Sequence, residues 1–248
     1  MKARADVARG EGVTPRRRKL TYLSESERPL TSLLFLLPLL AIYEIGIHFS
    51  ASRHLHAFSL MQDFFLLFGA NGQHLPALAV VGILLTWHIA RNDPWRARPV
   101  TLLTMGAESL ILSVPLIVFG FALARYIPLY SGDGSAWRSL AILSCGAGIY
   151  EELVFRLGAL TCLHLLLMDF LDLRKWLGML LMVLISSVAF SLYHYLGSEA
   201  FHWRSFAFRS VAGLYFSLVF LMRGFGITAG SHAAYDISVV SLSAIFAR

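Results

Sequence analysis

The chain alternates long apolar runs with short polar breaks. The runs fall at about 30–49, 75–91, 99–126, 138–168, 176–197, 205–223 and 226–246. At 1.5 Å per residue each can cross a hydrocarbon core of about 30 Å. A further apolar segment, 57–69 (AFSLMQDFFLLFG), is too short to span and reads as an interfacial or re-entrant helix. The pattern predicts an all-α polytopic membrane protein. Its architecture is a bundle of about seven to eight transmembrane helices around a polar intramembrane cavity. Residues 1–28 are polar and basic and read as a disordered cytoplasmic tail; 29–248 form one membrane domain, with no internal repeat or low-complexity segment.

Composition supports this reading. The chain is 57% hydrophobic and 15% charged, with a mean hydropathy of +0.65. Soluble domains are about 45–50% apolar and about 25% charged. The net charge of +6 does not point to nucleic acid, because eight of the 21 Lys and Arg residues lie in 1–28, against the first apolar run. That block is a topology signal and an anionic-lipid contact. With the N-terminus inside, the inner breaks carry Arg91, Arg96, Arg98, Arg174, Lys175 and Arg223, and the outer ones Arg53, Arg138 and Arg204. Seven spans then leave the C-terminus outside. The run after Pro29 is too long for a cleaved signal sequence. Cys145 and Cys162, in apolar surroundings 17 residues apart, predict neither a disulfide nor a zinc knuckle. These features fit a bacterial inner membrane, with the bilayer as the first partner.

Ionisable residues within spans cost about 2.5–3.5 kcal/mol each on insertion scales and need a reason to be there. Glu44 and Glu108 are isolated and read as structural partners for His or Arg on other helices. Glu151, Glu152 and Arg156 form a denser group. Neighbours on a helix point about 100° apart. Glu152 and Arg156, at i,i+4, can pair, which leaves Glu151 aimed elsewhere. In FSLYHYLG (190–197), Phe190 and His194 share a face. In GSHAAYD (230–236), His232 and Asp236 share one, and Gly226, Gly230, Ala233 and Ala234 allow close helix approach. A salt-bridge cluster and a polar helix clasp would each explain one of these groups as packing. Three such groups on three spans are better explained by one shared site. Two chemistries fit it. Glu151, His194 and His232 could hold zinc, although no HExxH helix is present. Alternatively Glu151 activates water directly, with the histidines positioning it and stabilising an oxyanion.

The order EExxxR (Glu151, Glu152, Arg156), FxxxH (Phe190, His194), HxxxD (His232, Asp236), with the local YEELVFRLG, resembles the CPBP family, also called Abi or CAAX-protease-like. These are polytopic intramembrane endopeptidases. They include the type II CAAX prenyl endopeptidases and bacterial proteins tied to bacteriocin processing or self-immunity. The resemblance covers about 138–240 and makes 29–248 the protease domain. It implies that Glu151 is the water-activating base, that His194 shares that water, and that His232 helps stabilise the tetrahedral oxyanion. Glu152, Arg156 and Phe190 become supporting residues. Asp236 stands where CAAX proteases often carry Asn; an ionised Asp cannot donate to an oxyanion, so orienting His232 is its expected role. The family has been described both as metal-dependent and as glutamate-based and metal-free. The metal-free form, with no cofactor, is the expectation here, and zinc the alternative.

The expected activity is hydrolysis of a peptide bond in a membrane-associated protein or peptide, of the CAAX type or in a C-terminal tail or sorting signal. A non-catalytic immunity or partner-binding protein is the alternative, and a proton relay a third that lacks paired broken helices. One geometric tension accompanies this site. His194 falls near the outer end of its span, Glu151 near mid-membrane and His232 slightly inside the centre. They meet only if the fifth span tilts, kinks or extends past Leu196.

Overall fold

The computed structural model describes residues 21–49, 56–67, 69–70, 72–124, 137–196 and 199–246, and every regular element among them is helical. In chain order these are α1 (Tyr22–Ser26), α2 (Pro29–Phe49), α3 (His56–Leu67), α4 (Leu75–Ala90), α5 (Pro99–Ala124), α6 (Trp137–Phe170) and α7 (Lys175–Tyr193), which runs on as a 3-10 turn, His194–Leu196. A continuous helical stretch, Trp203–Phe246, is broken at Gly224 (φ 77°, ψ −177°). Phe208 contacts Tyr235 and Phe216 stacks on His232, so the chain folds back at the break. The two halves are therefore separate antiparallel helices, α8 (203–223) and α9 (225–246). Gly224 sits in the left-handed region that residues with a Cβ avoid, which allows so short a turn.

The chain is an all-α polytopic membrane protein. Five helical stretches are long and apolar enough to cross a membrane. Dividing the last at Gly224 gives six; the 16-residue α4 stands at the expected seventh span but is shorter than these, and α3 occupies the expected short segment. Two differences appear. The tail expected over 1–28 ends earlier: α1 is a helix whose Glu25 and Ser26 are buried, while 1–20 lie outside the described residues. Part of α6, Leu153–Ala159 and Leu165–Phe170, is π-helical, a local widening that apolar periodicity does not announce.

Polar anchors fix the bundle end that carries α1. Glu25 accepts from the Arg98 backbone N–H (2.8 Å) and Nε (2.6 Å) and from the Thr101 hydroxyl (2.9 Å). Glu108 accepts from Tyr22 and from Arg223 Nη2 at 2.8 Å, and Arg223 also donates to Ser26 (3.0 Å). Towards the other end, Glu44 accepts from the Tyr150 hydroxyl (2.9 Å) and meets His74 Nδ1 (2.7 Å). Both isolated glutamates are thus the structural partners expected of them. Cys145 is buried, Cys162 exposed, and both are free thiols.

α6 and α9 cross with almost no space between their backbones. A Cβ on Gly148 would lie 2.6 Å from the Ala229 carbonyl oxygen and 2.7 Å from Ala233 Cβ. Since backbone cannot yield as a flexible side chain can, Gly148→Val should destabilise the protein by about 1–3 kcal/mol or more. A lowered melting temperature in detergent checks this; an unchanged one would contradict the packing. Burial pushes the Glu25 carboxyl up, but its bonds to Arg98 and Thr101 outweigh that and hold it below the ordinary 4.5. A depressed carboxylate stabilises the fold above its unfolded pKa, and that stability is lost as pH falls through the folded value. Glu25→Gln should therefore lower the melting temperature at pH 7 and cost progressively less below pH 4.5.

Candidate active site

Two helical hairpins bring the motifs together. Glu151 lies 19 residues before Phe170, at the end of α6, and His194 lies 19 residues after Lys175, at the start of α7. The antiparallel helices joined by 171–174 carry both side chains to one level, where Glu151 Oε2 and His194 Nε2 lie 3.9 Å apart. This removes the expected tension: depth follows from the hairpin register, not from distance to the end of each span. His194 also stands just past the α-helix, where the 3-10 turn begins. His232 sits eight residues beyond the Gly224 turn, and the Gly148 crossing seats it against the end of the Glu151–Glu152 pair.

Glu151 Oε2 lies 3.9 Å from His194 Nε2 and 3.8 Å from His232 Nε2. These separations exceed a direct hydrogen bond of about 2.7–3.2 Å and match the span of one small hydrogen-bonding molecule shared by three groups. Both imidazoles are fixed from behind. His194 Nδ1–H donates to the Phe190 carbonyl (2.8 Å), so Nε2 faces Glu151. His232 Nδ1–H donates to Glu152 Oε1 (2.7 Å), so its Nε2 also faces inward. The His232 ring stacks on Phe216 (4.6 Å, 17°) and meets Phe190 edge-on (6.0 Å).

Glu152 and Arg156 are fully buried and pair at 3.1 Å. Arg156 donates to the Gly213 carbonyl (3.2 Å) and lies over the Phe190 and Phe216 rings (4.5 and 5.6 Å). The two aromatic faces and the carboxylate together hold a guanidinium away from water. The expected division of the two glutamates therefore holds: Glu152 is committed to Arg156 and His232, and Glu151 is the carboxylate left facing the histidines. Asp236 requires a correction. The expectation that it orients His232 fails, because Glu152 occupies Nδ1. Asp236 Oδ2 instead lies 3.5 Å from Nε2, on the same side as Glu151.

The site forms the floor of a cavity of about 460 Å³. From Glu151, His232 and Phe216 the lining continues in one direction only. It runs towards the start of α6 (Leu140, Leu143), the start of α8 (Ser205, Arg209) and the end of α9 (Val239, Val240). This direction leads away from Gly224 and α1. Phe216, Gly213 and Arg209 are the site residues that the sequence did not reveal. Phe216 and Gly213 lie in an unremarkable apolar run, and Arg209 resembles an interfacial charge. A metal would need Glu151, His194 and His232; among the described residues no three His, Cys, Asp or Glu side chains are placed to hold one.

The family model described as "Type II CAAX prenyl endopeptidase Rce1-like" matches residues 133–238. No curated protein and no solved structure matches the chain. The matched segment is under half of the chain, but it holds all three motifs and the cavity floor. The resemblance read from those motifs therefore agrees with an independent comparison: residues 133–238 are similar to the Rce1-like type II CAAX prenyl endopeptidases.

Proposed function

We propose that the protein is an intramembrane endopeptidase that hydrolyses a peptide bond of a membrane-associated protein or peptide. The observation that carries this reading is the approach of one carboxylate oxygen, Glu151 Oε2, to two inward-facing imidazole nitrogens at 3.9 and 3.8 Å, at the floor of a cavity. In the proposed reaction a water molecule between these groups gives a proton to Glu151 and is held by His194 Nε2. Its oxygen attacks the scissile carbonyl carbon. His232, protonated at Nε2, donates to the carbonyl oxygen as negative charge develops there. The tetrahedral intermediate collapses, the C–N bond breaks, and the proton taken by Glu151 passes to the departing amine. Glu152 supports His232 in this role by accepting the Nδ1–H bond that aims Nε2 into the cavity.

The cavity direction supports a substrate class. With the N-terminus in the cytoplasm of a bacterial inner membrane, a cavity leading away from α1 opens outward. A C-terminal tail or sorting signal of an exported protein then fits better than a cytoplasmic CAAX box.

The test compares the membrane and secreted proteomes of cells expressing the wild type, Glu151→Gln or His194→Ala. Each variant should lose cleavage by at least about 100-fold while melting like the wild type, and cleavage by the wild type should persist with a permeant chelator. Full cleavage by Glu151→Gln would sink the mechanism, and chelator-sensitive activity restored by zinc would replace it with a metal-dependent one. Arg156→Ala separates packing from chemistry. It leaves Glu152 buried without its cation, so it should cost about 3–5 kcal/mol of stability, read as a lowered melting temperature. Equal loss of stability in Glu151→Gln would favour a non-catalytic protein that keeps the motifs for packing.

A further inference from the structure

A second cavity, of about 520 Å³, lies across α9 from the candidate site. Its walls are α2, with Leu34, and α5, with Leu103 and Gly106; its floor is α9, with Ala234 and Ile237. Successive helical residues turn by about 100°, so these two point to the other side of α9 from His232. The lining is mainly apolar, and Leu103 and Leu110 at the rim are exposed. Between membrane spans such a groove opens to acyl chains, not to water. Gly106 keeps it open: a Cβ there would meet only Phe35, at 3.9 Å.

Length and charge select the occupant. Along α5 the lining runs from Leu102 to Leu110, about 12 Å, against about 15 Å for one leaflet's half of the hydrocarbon core. A transmembrane helix would run about 30 Å and leave most of its length outside. The groove ends one turn from Arg98, which gives Nε to Glu25 at 2.6 Å. The Arg98 side chain is 54% exposed, and a guanidinium has five N–H donors to share. Arg28 joins the same end through its backbone N–H, which donates to the Glu25 carbonyl (3.2 Å). Its side chain is buried, and Nη1 has no hydrogen-bond partner among the described residues. Arg28, Arg96 and Arg98 stand here against Glu25, and Arg223 against Glu27 and Glu108, an excess of one positive charge. We infer that the groove binds an anionic phospholipid of the leaflet on the α1 side. One acyl chain lies between α2 and α5, and the phosphate accepts from the exposed edge of Arg98. This site does not depend on the endopeptidase reading.

The test places the full chain in phosphatidylcholine nanodiscs with a small fraction of a phosphatidylglycerol probe that carries a photoreactive diazirine in its acyl chain. Labelled peptides are mapped by mass spectrometry, in parallel with the phosphatidylcholine twin of the probe. Label should concentrate on 102–110 and 230–238. The phosphatidylglycerol probe should give about fivefold more of it, the factor expected of one surplus charge near a headgroup. Gly106→Leu, which fills the groove, should remove that label and leave label elsewhere unchanged. Arg98→Gln should bring the two probes level. It also takes the cation from Glu25, so its folding is checked by gel filtration, and Gly106→Leu decides where it fails to fold. Label spread evenly over the exposed helices, label that survives Gly106→Leu, or equal labelling of the wild type by both probes overturns the inference. A crosslink between two copies across the groove, lost in Gly106→Leu, would assign the groove to a second protein chain and overturn it too.

Discussion

The site depends on the contact between α6 and α9 at Gly148. With Ala229 and Ala233 opposite and no Cβ between them, the two helices approach closely enough for a short carboxylate on one to hold an imidazole on the other. Glu152 reaches His232 Nδ1 at 2.7 Å only because of that crossing. A wider spacing would separate His232 from both glutamates, and buried ionisable groups that lose a close partner are expensive in a membrane. Small residues at this interface therefore control the geometry of the candidate site as much as packing.

The second constraint is hairpin register. Glu151 and His194 are far apart in sequence but equidistant from the α6–α7 connection, and His232 is set by the sharp turn at Gly224. Antiparallel helices with short connections behave as rulers: residue counts from the turn determine which side chains share a level. Motif spacing along the chain then has physical content, since inserting one residue on one side of either turn would shift a functional group by about 1.5 Å and rotate it by about 100°.

Much of this was legible in the sequence, because lipid makes the signals strong. Seven apolar runs became helices, and the polar intruders at Glu151, His194 and His232 marked the floor of one cavity. Glu44 and Glu108 read correctly as structural because each stood alone in its span. What was not legible came from three causes. Phe216 and Gly213 act through a face and a carbonyl, which carry no compositional mark in an apolar run. The role of Asp236 depended on whether another acid held His232 Nδ1; i,i+4 spacing on α9 nominated Asp236, but Glu152, from a different helix, is the residue that does so. α1 looked like tail because five residues are too few for periodicity to register, and its order comes from the buried Glu25 and Glu108 networks.

The charges within the bundle then sort by what faces them. Glu44 and Glu108 meet donors on neighbouring helices and hold the bundle together. Glu152 meets both Arg156 and His232, and so couples the fully buried cation to the His232 ring. Glu151 and Asp236 face the cavity, where Glu151 lies within 4 Å of both His194 and His232, and Asp236 within 4 Å of His232. A membrane protein that needed the polar cluster for packing alone would leave its carboxylates in the first two situations. The Glu151 and Asp236 carboxylates instead share an open space with two imidazoles, in a protein that otherwise pairs its buried acids closely.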